Sequence, residues 1–188
     1  MTVTRTIERT ATRTWTIDPD HSMVEFSAKH LMITTVKGRF GAVAGTIVTD
    51  VDDPTKSSVN VTVGAGSIDT RTEQRDQHLR SPDFLDAERF PAITFVSRRV
   101  EGRAERPGDE FRVIGDLTIR GTTREVVLAA SFEGEGRDPW GGTRASYSAT
   151  TRIDRRDFGL TWNQALEAGG VLVGNEVKIS LEVQATAA

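Results

Sequence analysis

The side chains able to do acid, base or metal chemistry are few in this sequence. Histidine occurs at His21, His30 and His78, and cysteine not at all, which removes thiolate nucleophiles, disulfides and cysteine-based metal sites. The best-equipped cluster is Arg75, Asp76 and His78, with Glu73 close by. An imidazole that titrates near neutrality, oriented by a carboxylate, would serve as half of an acid–base pair or as a metal ligand. The same residue types on one short helix also tie that helix to its surroundings through ion pairs and backbone hydrogen bonds, and this structural reading outweighs the catalytic one. Asp18 to His21 reads DPDH, two carboxylates beside an imidazole, but the proline marks a turn between strands. His30 falls in register with Val24, Phe26 and Ala28 and reads as a satisfied, inward structural histidine. No GxSxG elbow, HExxH helix or phosphate-cradling glycine loop is present. The RRDFG run at Arg155 to Gly159 shares a tripeptide with the kinase magnesium motif and nothing else of a kinase. The expectation is a non-enzyme with no metal and no cofactor.

Composition narrows the class further. The formal net charge is -3 and the pI about 5.7, against the clustered basic excess that phosphate backbones require, so nucleic acid is excluded as a partner. The longest apolar run, Val126 to Ala130, is far short of the roughly 20 residues that span a bilayer, so no stable membrane insertion is expected. Residues 1–13, rich in Thr and Arg, carry no apolar stretch of the secretory kind; they read as a flexible tail before a single domain at 14–188, located in the cytoplasm. Hydrophobic residues make up 37% and charged residues 27% of the 188-residue chain, so the apolar residues must be concentrated on particular faces to form a core.

Those faces are visible as period-2 alternation. Val177, Ile179, Leu181 and Val183 alternate with Lys178, Ser180, Glu182 and Gln184, the pattern of a strand with one dry and one wet face. The same pattern recurs at Val24–Ala28, Val59–Ala65, Phe111–Ile119, Val126–Phe132 and Ala145–Ile153, with weaker segments near Trp15, Val43–Val51 and Ile93–Val100. Roughly eight to ten consecutive strands suffice to close an antiparallel barrel. Two stretches break the alternation. Thr70 followed by Glu73 has capping-box spacing, and Ser81 precedes Pro82, which predicts short helices at about 71–80 and 82–87. From Arg155 to Gly174, apolar residues are scattered without period, in a loop long enough to be functional.

Small residues Ala28, Gly45, Ala65, Gly115, Ala130, Ala145 and Ala149 fall in register with large ones on the apolar faces. They either fit the taper of a packed barrel or leave a cavity, and spacing alone does not choose. A cavity so lined would take a hydrocarbon guest: about 10 buried carbons contribute roughly 8 kcal/mol, against an association cost of about 4–15 kcal/mol.

Several ordered segments carry a family resemblance. They are Trp15–Phe40, with His30, Val36, Gly38 and Phe40, and then Ser67–Phe95, with Arg75, Asp76, His78, Leu79, Ser81, Asp83, Phe84, Pro91 and Phe95. Gly115–Val126, Arg155–Trp162 and Val173–Val183 follow. Over nearly its whole length the chain resembles the YceI-like polyisoprenoid-binding proteins. The resemblance implies an extended lipocalin-like barrel of about eight strands, with an internal tunnel for an isoprenoid chain, in a homodimer. The implied guest is a polyprenyl phosphate or the tail of an isoprenoid quinone, held for storage, transport or metabolism. By placement, Phe26, Phe40, Leu79, Phe84, Phe95, Phe132, Phe158 and Trp162 are expected in the tunnel wall, and Arg75, Asp76 and His78 form a structural cluster or touch the lipid head. Alternatives are a scavenger of other hydrophobic molecules or a lipid-acting enzyme using Asp76 and His78.

Overall fold

Alternating side chains bury one face of a strand, and a closed sheet buries those faces against one another without leaving an edge. The computed structural model describes residues 12–188. Its strands are β1 (Thr12–Ile17), β2 (Met23–His30), β3 (Thr34–Phe40), β4 (Val43–Asp50), β5 (Ser58–Gly64), β6 (Ile68–Asp69), β7 (Ala92–Gly102), β8 (Glu110–Ile119), β9 (Thr122–Arg137), β10 (Thr143–Asp154) and β11 (Val173–Ala187), with one helix, α1 (Glu73–Arg80). Every pairing is antiparallel, and the order β1-β4-β5-β7-β8-β9-β10-β11 closes through β1–β11 into an eight-stranded barrel.

Three strands extend this ring. Ile17 pairs with Ala185 and Met23 with Glu182, so β1 and β2 follow one another along β11. β3 then pairs with β2, and β6 with β3. Between β6 and β7 the wall is made of α1 and turns instead of strand. Buried side chains form two clusters, one around Phe158, Phe95 and Leu117 and one around Trp15, Ile47 and Phe132; Phe40, Val59, Val61, Ile93 and Phe111 touch both. Residues 92–154 are built from long strands joined by short connections. Ile119 pairs with Thr122, so β8 and β9 are linked only by Arg120 and Gly121, with φ of 49° and 72°, the left-handed pair that suits a hairpin.

Three expectations need correction. The second helix, at 82–87, is a set of turns. Ser81 ends α1, its hydroxyl donating to the His78 carbonyl at 2.7 Å. The chain then doubles back, Leu85 N–H donating to Leu79 O and Ala87 N–H to Arg80 O, with buried Asp86 at φ 50°. Burial of Phe84 and Leu85 thus overrides the local Ser-Pro helix signal. The helix cap at Thr70 is also displaced: Thr72 holds that position, while the Thr70 hydroxyl bonds Asp76. Finally, Thr12 and Arg13 belong to β1, paired with Asp50 and Thr49; residues 1–11 of the expected tail lie outside the described residues.

Candidate functional site

The inward rows do not meet. They enclose a cavity of about 660 Å³ that runs the length of the barrel, within the 300–1,000 Å³ typical of small-molecule sites. Along β9 its lining extends from Val126 to Glu135, roughly 30 Å of strand at ~3.3 Å per residue. β11 contributes Val177, Ile179, Leu181 and Val183, and β10 contributes Tyr147, Ala149, Thr151 and Ile153. Ala28, Ala130 and Ala149 line the space, and Ala130 and Ala149 are direct cross-strand partners. The other small residues work differently. A Cβ at Gly115 would lie 2.6 Å from the Phe95 ring and 2.5 Å from the Val96 carbonyl, and one at Gly45 2.3 Å from the Asn60 carbonyl. These glycines admit neighbours in close packing. Ala65 and Ala145 are sealed in the core.

The two ends differ in polarity. At one end the wall includes Arg13, Asp50, Glu105 and Glu135. Arg13 bonds Glu135 at 2.8 Å and lies over the Trp15 ring at 5.3 Å. Tyr147 reaches the cavity between the rings of Phe132 and Phe111, and its hydroxyl bonds to no protein group among the described residues. Burial pushes that phenol up to about 12, with Glu135 adding to the rise and Arg13 opposing it, so at neutral pH it is a proton donor.

The far end is apolar, closed by Leu79, Phe84, Leu85, Ile119, Phe158 and Leu160 around one cation, Arg155. Arg155 is only 4% exposed. All its donors are engaged: Nε to Gly174 O, Nη1 to Leu160 O and Trp162 O, Nη2 to Val173 O and Asn175 Oδ1. Burial lowers its pKa, and the ring of carbonyl dipoles compensates the charge. Arg155 therefore ties the irregular 155–174 segment across the end of the barrel.

Seven of the eight residues expected in the tunnel wall line this cavity: Phe26, Phe40, Leu79, Phe84, Phe95, Phe132 and Phe158. Trp162 does not. It is half-buried and stacks edge-on to His78 at 4.6 Å and at 5.3 Å from Phe84, behind the wall instead of in it. In the polar cluster, Arg75 donates to the Thr70 hydroxyl (2.7 Å) and carbonyl (2.8 Å), and buried Asp76 accepts from Thr70 N–H at 2.9 Å. His78 turns elsewhere, to Asp83 at 2.8 Å. Two residues apart on a helix, Asp76 and His78 do not face each other. Among the described residues no group of three or more His, Asp or Glu side chains is placed to hold a metal ion. His30 is half-buried at the end of β2, outside the lining. Asp18 accepts from Arg144 (2.6 Å) and His21 (2.9 Å), and the Arg144 guanidinium, with His21 and the Asp20 N–H, holds its carboxyl down at about 2. The DPDH run is a fastening at the joint between β1 and β2.

Sequence reasoning missed Arg13, Glu135 and Tyr147. Tyr147 was legible as part of the Ala145–Ala149 row. Glu135 was not, because a register shift at Ser146 and Tyr147 changes which residues of β9 face inward.

The match to known proteins covers this whole barrel. A family model described as the YceI-like domain matches residues 15–185. The chain belongs to the YceI-like family. Among YceI-like relatives, the UPF0312 protein SAS2572 of Staphylococcus aureus (strain MSSA476) is 37% identical over 90% of this chain and 95% of its own. Protein YceI of Salmonella newport (strain SL254) is 40% identical over 75% and 72%. Among solved structures, a Campylobacter jejuni YceI protein superposes with a TM-score of 0.69 at 28% identity, over 84% of this chain and 88% of that one. Burkholderia cenocepacia BcnA gives a TM-score of 0.75 at 21% identity, over 89% and 98%, a likeness of fold.

Proposed function

We propose that this YceI-like protein binds a long-chain isoprenoid lipid inside its barrel, as a carrier or store. The observation that supports this reading is the length and largely apolar lining of the cavity, with Arg13, Asp50, Glu105, Glu135 and Tyr147 gathered at one end. If each chain carbon takes about the ~30 Å³ share of a water molecule, the space admits ~20 carbons. At ~0.8 kcal/mol each, their burial contributes about 16 kcal/mol, at the upper edge of the association cost of about 4–15 kcal/mol. A structurally similar domain from Saccharophagus degradans, with a TM-score of 0.67 at 13% identity over 96% of this chain and 100% of that one, is described as polyisoprenoid-binding, which agrees with this reading.

The head group sits, on this proposal, beside Tyr147. The lining at that end holds one cation, Arg13, against Asp50, Glu105 and Glu135; Arg13 is paired with Glu135 and Glu105 with Arg103, which leaves Asp50 uncompensated. A phosphate head would meet net negative charge. A neutral acceptor, such as a quinone carbonyl, would take the free Tyr147 hydroxyl without that repulsion. The reading is of a binding protein, since Asp76 and His78 engage different partners and line up on no common substrate position. The test is mass spectrometry of organic extracts from protein purified without detergent. A neutral isoprenoid in near-stoichiometric yield is the expected result. An extract containing only polyprenyl phosphates would overturn the head-group assignment, and an extract free of lipid would overturn the function.

A further inference from the structure

The hairpin joining β2 to β3 breaks two rules at once. The His30–Ile33 turn, closed by Ile33 N–H to His30 O, carries Leu31 and Met32 at φ 52° and 62°. Consecutive left-handed residues at a hairpin turn are normally Asn-Gly or similar, because the Cβ crowds the neighbouring carbonyl, a cost that Gly escapes and Asn or Asp offset by local hydrogen bonds. The same turn presents apolar surface to solvent: Leu31 is 38%, Met32 55% and Ile33 76% exposed. The tip cannot fold back to hide it, because Leu31 N–H is bonded to Leu172 O at 2.8 Å and Asn163 clamps the same segment through both Val173 N–H and O. Strain spent on holding apolar side chains outward is the mark of a contact surface.

The surroundings say which contact. Lys29, Lys37 and Lys178 are three of the four lysines in the chain. Ser27 pairs with both Lys37 and Lys178, and Lys29 follows Ser27 by two residues, so all three project from one outer face just below the tip. None forms an ion pair among the described residues; of the acidic neighbours, Asp69 and Glu176 are taken by Arg39 and Arg152, and Glu25, the one exposed carboxylate of the same β2 face, stands two residues further from the tip than Ser27.

We infer that the Leu31–Met32–Ile33 tip, with Lys29, Lys37 and Lys178 beneath it, docks the protein reversibly on an anionic lipid bilayer surface. Apolar side chains at the tip enter the boundary of the acyl chains while the lysines meet the lipid phosphates and carboxylates. No helix of the described residues is long and apolar enough to cross a membrane, and none is required for this mode. The inference stands apart from the identity of the guest in the cavity, since the tip contributes nothing to its lining.

The experiment is co-sedimentation of the full chain with phosphatidylcholine vesicles, with and without about one-third phosphatidylserine. Binding is expected to the anionic vesicles, weakened by salt, and to fall about five-fold for each of Lys29→Gln and Lys37→Gln. The double variant Leu31→Asn/Met32→Gly supplies the residues that the turn geometry prefers. Its melting temperature should rise while vesicle binding disappears, a pairing that a purely structural tip would not produce. Ile33→Ser, at a site too exposed to affect folding, should lower binding alone. The proposal is overturned by equal binding to both vesicle types, by no binding, or by undiminished binding of the double variant. It is equally overturned if the wild type ignores vesicles but forms dimers that the double variant dissociates, which would make the tip a contact between copies.

Discussion

Replacing Ala149 with phenylalanine tests the cavity directly. Ala149 lines the middle of the tunnel and pairs with Ala130 on β9 and Leu181 on β11. The ring therefore projects into open space beside another small residue and should fit without overpacking. It adds about six carbons, which displace a similar number of ligand carbons and remove about 5 kcal/mol of burial. That corresponds to an affinity loss of more than about a thousand-fold. Because the ring fills apolar space in the ligand-free protein, the melting temperature of stripped protein should hold or rise. The assay is lipid content per protein by mass spectrometry, alongside thermal unfolding after delipidation. Thr150→Phe, one residue along on the exposed outer face of β10, is the control and should retain lipid. Wild-type lipid content in Ala149→Phe would refute the claim that the guest threads the middle of the barrel.

Arg155→Ala would take this donor from the carbonyls of Leu160, Trp162 and Gly174, while Val173 O would keep Asn163 Nδ2; chemical denaturation should show a loss of about 3–5 kcal/mol. Tyr147 is the sole tyrosine, so ultraviolet titration reads it alone. Its midpoint should lie near 12 in folded protein and near 10 in denaturant. Because the folded value is raised, its stabilisation is complete below pH 10 and drains between pH 10 and 12; a folded midpoint of 10 would contradict the burial. Asp18 acts at the opposite limb: its folded pKa of about 2 lies below the ordinary 3.8, so its contribution is present above pH 4 and lost as pH falls towards 2. Asp18→Asn should flatten the acid side of a melting-temperature profile. Phe84→Asp, at the cavity wall, should abolish lipid retention, whereas Trp162→Ala, behind the wall, should retain lipid and lower only thermal stability.

The barrel was legible because a strand with one dry face writes its register into the chain, and β8 to β11 carry that alternation over long runs. The tunnel wall was legible for the same reason: phase alone puts Phe26 and Phe132 inward. What failed was local. Ser81-Pro82 has the chemistry of a helix start, yet burial of Phe84 and Leu85 draws the segment into turns. Trp162 lies in an aperiodic segment whose course depends on Arg155, and a hub of hydrogen bonds to carbonyls leaves no mark in the pattern of side chains. Glu135 depends on a bulge, and a one-residue slip reverses inside and outside. Asp76 and His78 are two residues apart in sequence but belong to different networks, because that spacing points side chains to different sides of a helix.

An eight-stranded barrel can ordinarily fill itself with side chains, so an open interior demands an energetic reason. At about 24 cal/mol per Å³, a dry void of about 660 Å³ would cost on the order of 16 kcal/mol, as much as the whole net stability of a typical domain. Water is a poor remedy, since ordered water needs two to four polar partners and the lining around Ala130, Ala149 and Leu181 is mainly hydrocarbon. The burial gained by a guest of ~20 carbons is of the same size. On the proposed function, the alanines that keep the tunnel open make stability and occupancy one quantity, so that filling the tunnel should stabilise the fold. A side chain that closed the space would serve folding better. The guest proposed above accounts for alanine at these positions.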